Sequence, residues 1–186
     1  GNVLGAEQHG HMDKVGYELY SKLLKEELTG ESQFTAELDV KATAYIPEAY
    51  IESNAGRMDC YKQIAEIRTV EDYKRVCLSI EDNYGPMPDE VLNLLIIAVM
   101  KSYAAKFNIR KISVDGTEGS FELPSVNSLA DARLKAALDR YAGKIKLSMA
   151  KAPLIIFPPH SNPAKTMLDM TKFLKFAVSF AYYPLK

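Results

Sequence analysis

The spacing of apolar positions predicts six helices along the chain. In the third of them, Thr69 and Asp72 have the spacing of a capping box, and apolar residues then recur every three or four positions. The fourth begins at Pro88, and its segment 91–100 is apolar at nine of ten positions, which predicts a helix buried on all sides. The six predicted helices cover residues 12–28, 56–68, 70–84, 88–107, 128–142 and 163–180.

Alternation of apolar and polar residues predicts strands between these helices. Residues 36–46 alternate and stop at Pro47, which predicts an extended segment. Residues 109–114 and 120–123 flank a glycine-containing turn and are predicted to form a hairpin, and residues 144–148 and 154–157 form a second pair. Because the strands come mostly in hairpins, the predicted class is α+β. We expect helices packed on a small, mainly antiparallel sheet, with an N-terminal helical appendage.

Composition indicates a folded globular chain. Of 186 residues, 47% are hydrophobic and 25% charged, which excludes disorder as the main state. The longest apolar run, residues 94–100, is far shorter than the roughly 20 residues of a membrane span. The two cysteines, Cys60 and Cys77, lie in apolar helical stripes, so we expect reduced, buried thiols and a cytoplasmic location. The sequence begins inside a glycine-containing motif at Gly1, without an initiator Met or signal peptide, and we expect a fragment of a longer protein.

The formal net charge of −1 conceals an uneven distribution. Residues 1–131 carry a net charge of −9, and residues 132–186 carry +8. Such an asymmetry indicates an interaction surface without identifying its partner, and a solvated basic face is the plain alternative. The basic part could follow a nucleic-acid backbone or contact an acidic protein surface, although no aromatic platform for stacking bases is recognisable in it. Its basic residues include Arg133, Lys135, Arg140, Lys144, Lys146, Lys151, Lys165, Lys172 and Lys175.

Motifs for catalysis and metal binding are weak or missing in the sequence. The Gly143-Lys144 pair lacks the upstream glycine and the following Ser or Thr of a phosphate-binding loop. His9, His11 and His160 lack thiol or carboxylate partners at ligand spacing. No nucleophile motif of the G-x-S-x-G type is present. We therefore expect no catalytic residue and no metal site in this chain, and an enzyme acting on a small ligand has little support.

Three stretches together resemble the C-terminal end of bacterial transcription-repair coupling factors. The first, GNVLGAEQHG at residues 1–10 with VGYELYSKLL at 15–24, resembles the tail of a motif shared with RecG-type translocases and the helix after it. The second, at residues 38–51, contains AYIP followed by YI. The third, IEDNYGPMP at 80–88, resembles the family's L-x-D-R-F-G-P-L-P and is followed by NIRKI at 108–112. The similarity extends over about residues 1–115 and fades beyond them.

The resemblance implies a regulatory domain at residues 33–186, preceded at 1–32 by the tail of the translocation motif and the helix after it. The parent would be an ATP-driven translocase on double-stranded DNA that displaces stalled RNA polymerase and recruits the excision-repair protein UvrA. In the family, the C-terminal domain has no catalysis. It packs on the UvrB-like N-terminal module and masks the UvrA-binding surface. ATP and Mg would bind the parent's motor, so no cofactor is expected in this chain.

The resemblance also assigns particular residues. Gly5 and Gln8 match the translocation motif, which couples ATP hydrolysis to movement. Asp82 matches the acidic position of the masking interface, although from the residues alone it is an exposed helix-end position. Asn83 stands where the family usually has Arg, and Ser79 stands where some members have an acidic residue. The expected function is thus an autoinhibitory interaction domain, and its rival is a stand-alone DNA-binding module that uses the basic C-terminal third.

Overall fold

The structure, a computed structural model, describes residues 36–149 and 152–180, and this part of the chain contains both helices and strands. The predicted α+β class is confirmed there. The predicted appendage at 1–32, with its helix at 12–28, lies outside the described residues. In chain order the elements are β1 (Glu37–Val40), α1 (Asn54–Ala65), α2 (Val70–Tyr84), α3 (Asp89–Ala105), β2 (Lys111–Val114), β3 (Gly119–Glu122), the 3₁₀ helix Val126–Ala130, α4 (Ala132–Arg140), β4 (Lys146–Ser148), β5 (Leu154–Phe157) and α5 (Pro163–Phe180).

Two compact units divide the chain. The first contains Lys41–Val99, and the second contains β1 together with the chain from Met100 onward. Helix α3 carries the chain from the first unit into the second. The predicted division at residues 32 and 33 falls outside the described residues and stays a prediction.

Side-chain caps begin the first two helices of the first unit. Ser53 Oγ accepts the N–H of Gly56 at 2.9 Å and starts α1. At α2 the predicted capping box of Thr69 and Asp72 is present. Each cap satisfies N–H groups that have no partner within the helix, which is why both helices start at these residues.

Helix α3 is buried along most of its apolar segment, as its sequence predicts. Between residues 91 and 100 Leu92 is half-buried and every other residue is buried. The polar residue of the segment, Asn93, is 6% exposed, and its Nδ2 donates to the carbonyl of Thr43 at 3.0 Å. No helix among the described residues, α3 included, is long and apolar enough to cross a membrane.

The extended segment predicted at 36–46 forms a strand only over Glu37–Val40. Beyond that point the backbone bonds to helices of the first unit. The N–H of Tyr45 donates to the carbonyl of Glu90 at 3.2 Å, and the N–H of Ile46 donates to the hydroxyl of Tyr61 at 3.0 Å. From Val40 to Ile46 every second side chain is nevertheless buried, whereas Leu38 is half-buried. The alternation therefore signalled burial of every second residue, not pairing with another strand.

The second unit is built on a five-stranded sheet of order β1-β2-β3-β5-β4. Strand β1 runs parallel to β2, with Glu37 opposite Lys111, and the other neighbours are antiparallel. Both predicted hairpins are confirmed: β2 pairs with β3, and β4 pairs with β5. The sheet is thus mainly antiparallel, as expected.

Aromatic rings fill the space between this sheet and α5. Phe157 lies edge-on to Phe121 on one side and to Phe173 of α5 on the other, with ring centroids 5.4 Å apart in both pairs. All three rings are at most 1% exposed. The apolar spacing in the sequence of α5 predicts an inner face of five residues, of which four are buried and the fifth, Val178, is half-buried. The four are Met167, Met170, Leu174 and Ala177.

Ser128 and Asp131 have the spacing of a second capping box, which predicts that the fifth helix begins at residue 128. This prediction is wrong, because the structure has two separate caps here. Ser125 Oγ accepts the N–H of Asn127 at 3.2 Å and starts the 3₁₀ helix. Asp131 is itself the N-cap of α4, because its Oδ1 accepts the N–H of Arg133 at 2.9 Å. Ser128 lies inside the 3₁₀ helix, and α4 begins at Ala132, four residues later than predicted.

Candidate functional site

Helix α2 has a buried face and an exposed face. Val76 and Ile80 are buried, and Tyr73 and Cys77 beside them are half-buried. Because successive residues of an α-helix are rotated by about 100°, the positions between them point outward near the end of the helix. We call this outward region the α2 surface, and it consists of Leu78, Ser79, Glu81, Asp82 and Asn83.

The three predicted interface residues all belong to this surface. Ser79 is half-buried, and its hydroxyl donates to Gln63 Oε1 of α1 at 3.3 Å. Asn83 is exposed, and its Nδ2 donates to the carbonyl of Ser79 at 2.9 Å. Asp82 is exposed, and its side chain makes no hydrogen bond or ion pair with the part of the chain that the structure describes. Of the three, Asp82 therefore has the side chain that is available to a partner.

Leu78 is a member of this surface that the sequence reasoning did not single out. Its side chain is 67% exposed, the highest value among the large exposed apolar residues of the described chain. It lies four residues before Asp82, so the two side chains are neighbours on the helix. The sequence did contain the signal, because Leu78 is an aliphatic residue of α2 that falls outside the apolar stripe formed by Tyr73, Val76 and Ile80.

The end of α2 is fixed by contacts of the first unit. Gly85 ends the helix with a φ of 85°, a conformation that favours glycine. The Tyr50 hydroxyl donates to the carbonyl of Gly85 at 2.6 Å, and its ring lies 6.1 Å from that of Tyr84. Burial, together with the carboxylate of Glu81, raises the pKa of Tyr50, which keeps this hydroxyl a donor. Glu81 Oε2 also accepts the N–H of Met87 at 3.3 Å. Asp82 thus sits on a well-defined helix end.

The charge of the α2 surface is opposed to the helix dipole. Glu81 and Asp82 lie in the last turn, and that turn has no basic residue. The C-terminus of a helix carries partial negative charge, so each exposed carboxylate there costs about 0.3–1 kcal/mol. Glu81 is partly accounted for by its bond to Met87, whereas neither helix stability nor a contact in the described chain accounts for the carboxylate of Asp82.

The two arginines of the basic C-terminal third make contacts inside the second unit. Arg133 Nη2 donates to Asp131 Oδ2 at 2.7 Å and to the carbonyl of Lys106 at 3.2 Å. Its guanidinium carbon lies 4.4 Å from the centre of the Phe107 ring, so Arg133 holds the start of α4 in place. Arg140 lies over Phe176 at 5.9 Å. The lysines of this third that are exposed in the described chain are Lys135, Lys144, Lys146, Lys165 and Lys172.

The described residues contain no group of three or more His, Cys, Asp or Glu side chains that could hold a metal ion. His160 Nε2 lies 2.6 Å from Asp169 Oδ2, which is a pair at the start of α5. Cys60 is buried and Cys77 is half-buried, and both are free thiols. Burial raises the pKa of each thiol, which lowers its reactivity. The predicted motif residues Gly5 and Gln8, and the histidines at 9 and 11, lie outside the described residues.

Comparison with known proteins gives a family match that extends over the first unit and into the second. The family model of the TRCF domain matches residues 40–134, about half of the chain. The transcription-repair-coupling factor of Bacillus subtilis (strain 168) is 40% identical over 122 residues, covering 62% of this chain and 10% of that protein. The Escherichia coli (strain K12) protein of the same name is 28% identical over 154 residues, covering 75% of this chain and 13% of that protein. The chain thus spans little more than a tenth of the length of these curated relatives.

A solved structure gives the same fold. The crystal structure of the C-terminal domain of a transcription-repair coupling factor aligns with a TM-score of 0.69 and 20% identity, covering 83% of this chain and 99% of that one. This chain therefore has the same α+β fold as that domain. With the TRCF-domain match, the chain belongs to the transcription-repair-coupling factor family.

Proposed function

We propose that this chain is a regulatory domain whose α2 surface contacts the UvrB-like N-terminal module of the same parent protein. This contact masks the UvrA-binding surface of that module and is released when the motor engages. The domain itself performs no catalysis. The motor of the parent binds ATP and Mg, moves on double-stranded DNA and displaces stalled RNA polymerase, and Gly5 and Gln8 contribute to its translocation motif.

The observation that carries the proposal is the position of Asp82 beside Leu78 on the exposed side of α2. The family resemblance assigns Asp82 to the masking interface. Leu78 is 67% exposed, so the fold of the domain does not depend on its burial. An apolar side chain next to charged ones has the composition of an interface, in which an apolar centre is surrounded by a polar rim. Leu78 therefore supplies the apolar contact, and Asp82 supplies the charge.

The negative charge of the α2 surface predicts that the partner's surface is basic. Glu81 and Asp82 oppose the dipole of their own helix, and basic side chains on the N-terminal module would compensate for that cost. Ser79 and Asn83 bond within the domain, so they contribute shape and not charge. The mask is thus expected to weaken at high salt, because part of its attraction is between exposed charges.

The test compares UvrA binding by the full-length parent before and after Asp82→Arg. The reversal sets a cation against the expected basic patch and opens the mask, so apparent UvrA binding should tighten by about tenfold. Leu78→Ser should act in the same direction, because it removes the apolar contact. Deletion of residues 33–186 gives the fully unmasked reference.

Asp59→Arg is the matched control, since Asp59 is an exposed residue of α1 in the same unit. This reversal should leave UvrA binding unchanged. Unchanged UvrA binding after the deletion would refute masking. If the deletion unmasks the parent while Asp82→Arg and Leu78→Ser do not, the interface lies on another surface of the domain. ATP turnover by the purified chain would contradict the absence of catalysis.

The alternative is a stand-alone DNA-binding module that uses the basic C-terminal third. In its favour, Lys165 and Lys172 are exposed and two helical turns apart on α5, so they share one face. Against it, Arg133 is engaged by Asp131 and Phe107 and is not available to a phosphate. Fluorescence anisotropy with labelled duplex DNA at two salt concentrations separates the two functions. Tight binding that weakens steeply with salt would favour the DNA-binding module.

A further inference from the structure

Strand β4 forms one edge of the sheet in the second unit. It pairs with β5 and with no other strand of the described chain. An edge strand presents backbone N–H and C=O groups on its outer side, to which another strand can add. Lys146 and Leu147 of β4 are both exposed, and no other strand of the described residues lies on this side of the sheet.

Apolar side chains lie along the same edge. Leu147 is 43% exposed and Met149, which follows the strand, is 51% exposed. Leu147 is opposite Ile155, which is fully buried, so Leu147 stands at the rim of the core on the side that the helices cover. A strand added along β4 would cover Leu147 and extend the apolar layer by one position.

A cleft of about 360 Å³ opens on the other side of β4. Lys146 and its partner Ile156 both line it, together with Lys144 and Thr117. The charged residues of its lining are the two lysines and Glu118, so their net charge is positive. A carboxylate on a strand beside β4 would find ammonium groups within its reach at this cleft.

Charge decides which kind of strand the edge accepts. A second copy of this chain would bring its own Lys146 to the same edge, and facing like charges destabilise a strand pair. An acidic strand meets no such repulsion and pairs its carboxylates with Lys144 and Lys146. We propose that the outer edge of β4 binds an extended acidic segment of a partner protein, in which apolar and acidic residues alternate. The segment adds as a further antiparallel or parallel strand, with its apolar residues over Leu147 and its acidic residues toward the cleft.

The proposal is independent of the masking function, because it uses residues of the other unit and none of the α2 surface. Three labelled peptides of about ten residues test it, a length that spans an ordinary strand. The first alternates Glu and Val. The second carries Pro at two of its Val positions, which removes ladder hydrogen bonds while keeping the charge. The third has Lys in place of Glu.

Binding of the peptides to the complete chain is followed by fluorescence anisotropy and by amide hydrogen exchange. Only the Glu–Val peptide should bind, and it should slow the exchange of backbone amides in β4. Lys146→Glu should weaken its binding by about tenfold or more. Leu147→Thr should also weaken it, since Thr keeps the strand preference and removes the apolar contact. Lys172→Glu reverses an exposed charge on α5 of the same unit and should have no effect.

Four results would overturn the proposal. The first is an acidic peptide that fails to bind, or binds as well with Pro as without it. The second is unaltered binding by Lys146→Glu. The third is binding of duplex DNA, but not of the peptides, that disappears in the Lys146→Glu variant. This result would make the edge a nucleic-acid-binding surface. The fourth is a concentration-dependent dimer that protects the β4 amides, which would make a second copy the occupant.

Discussion

Thr69 and Asp72 bond to each other at the start of α2. The N–H of Asp72 donates to Thr69 Oγ1 at 3.1 Å, and Asp72 Oδ2 accepts the N–H of Thr69 at 3.2 Å. The same carboxylate accepts the N–H of Arg68 at 3.0 Å and a guanidinium N–H of Arg75 at 2.9 Å. Partial burial would raise the pKa of Asp72, but these hydrogen bonds outweigh it and hold the pKa below its usual value. The start of the helix that carries the α2 surface is therefore defined by three donors that converge on the Asp72 carboxylate and by the Asp72 N–H, which donates to Thr69.

Removing this cap should destabilise the first unit. Thr69→Ala deletes the hydroxyl that accepts the N–H of Asp72, and the expected cost is about 1 kcal/mol in the free energy of unfolding. Thr69→Ser keeps the acceptor and should cost only a fraction of that. Chemical denaturation followed by far-UV circular dichroism measures both. Equal losses for Ala and Ser would show that the methyl group matters more than the hydrogen bond.

Truncation of two aliphatic residues of α2 should change the free energy of unfolding by very different amounts. Ile80 is 1% exposed, so Ile80→Ala should lower the free energy of unfolding by about 2–4 kcal/mol. Leu78 is 67% exposed, so Leu78→Ala should change it by less than about 0.5 kcal/mol. Denaturation midpoints of the two variants give the comparison. A large loss for Leu78→Ala would mean that this side chain has a structural role in the domain itself.

Gly119 of β3 should not tolerate a side chain. A Cβ built there would lie 2.6 Å from Met170 Sδ and 2.9 Å from Thr166 Cγ2 of α5. Gly119→Ala should therefore cost about 1–3 kcal/mol, because α5 must shift or Met170 must change rotamer. Gly116 is the matched control, since a Cβ there meets nothing within 4 Å. Thermal unfolding should show a lower midpoint for Gly119→Ala and little change for Gly116→Ala.

The Asp131–Arg133 pair should give the second unit a pH-dependent contribution to stability. Hydrogen bonding from the Arg133 guanidinium lowers the pKa of Asp131 in the folded state. A carboxyl with a lowered folded pKa stabilises fully above its unfolded pKa of about 3.9, and this contribution is lost as the pH falls through the folded value. The stability difference between the wild type and Asp131→Asn should therefore be largest near neutral pH and shrink in acid.

A conservative replacement provides the control for this pair. Arg133→Lys keeps the charge, but a single ammonium cannot replace the fork that meets Asp131, the carbonyl of Lys106 and the ring of Phe107. It should cost about 1 kcal/mol in unfolding free energy, a modest value because both side chains are partly exposed. A Lys variant as stable as the wild type would mean that net charge alone holds the start of α4.

Local signals explain why most of the fold could be predicted from the sequence. Three predicted features depend only on nearby residues, and all three are present. They are the capping box at Thr69, the apolar segment of α3 and the turn between β2 and β3. The errors concern long-range partners. Nothing local in residues 41–46 shows that the N–H of Ile46 bonds to Tyr61 instead of a strand. Likewise, Ser128 has the spacing of a cap, and only the 3₁₀ helix begun by Ser125 displaces it.

The candidate site shows the same limit. The motif around Asp82 assigns a position to an interface, but exposure decides which neighbours are available to a partner. Ser79 and Asn83 are polar residues that the sequence alone leaves available to a partner. In the structure Ser79 donates to Gln63, and Asn83 donates to the helix backbone. Leu78 is an apolar residue, and it is nevertheless exposed in the structure. The edge of β4 depends on strand order, which no single stretch of sequence specifies.

The parallel pairing of β1 with β2 also bears on how the protein is made. The whole of Lys41–Val99 lies in the chain between the two strands that must meet. During synthesis β1 leaves the ribosome well before its neighbour, and it has no strand partner until β2 emerges. The intervening unit has local helical contacts and can fold first, which shortens the effective loop that the parallel pair must close. We therefore expect closure of the sheet at Glu37 and Lys111 to be a late event, and variants that slow folding of the intervening unit should prolong the time that β1 spends unpaired with β2.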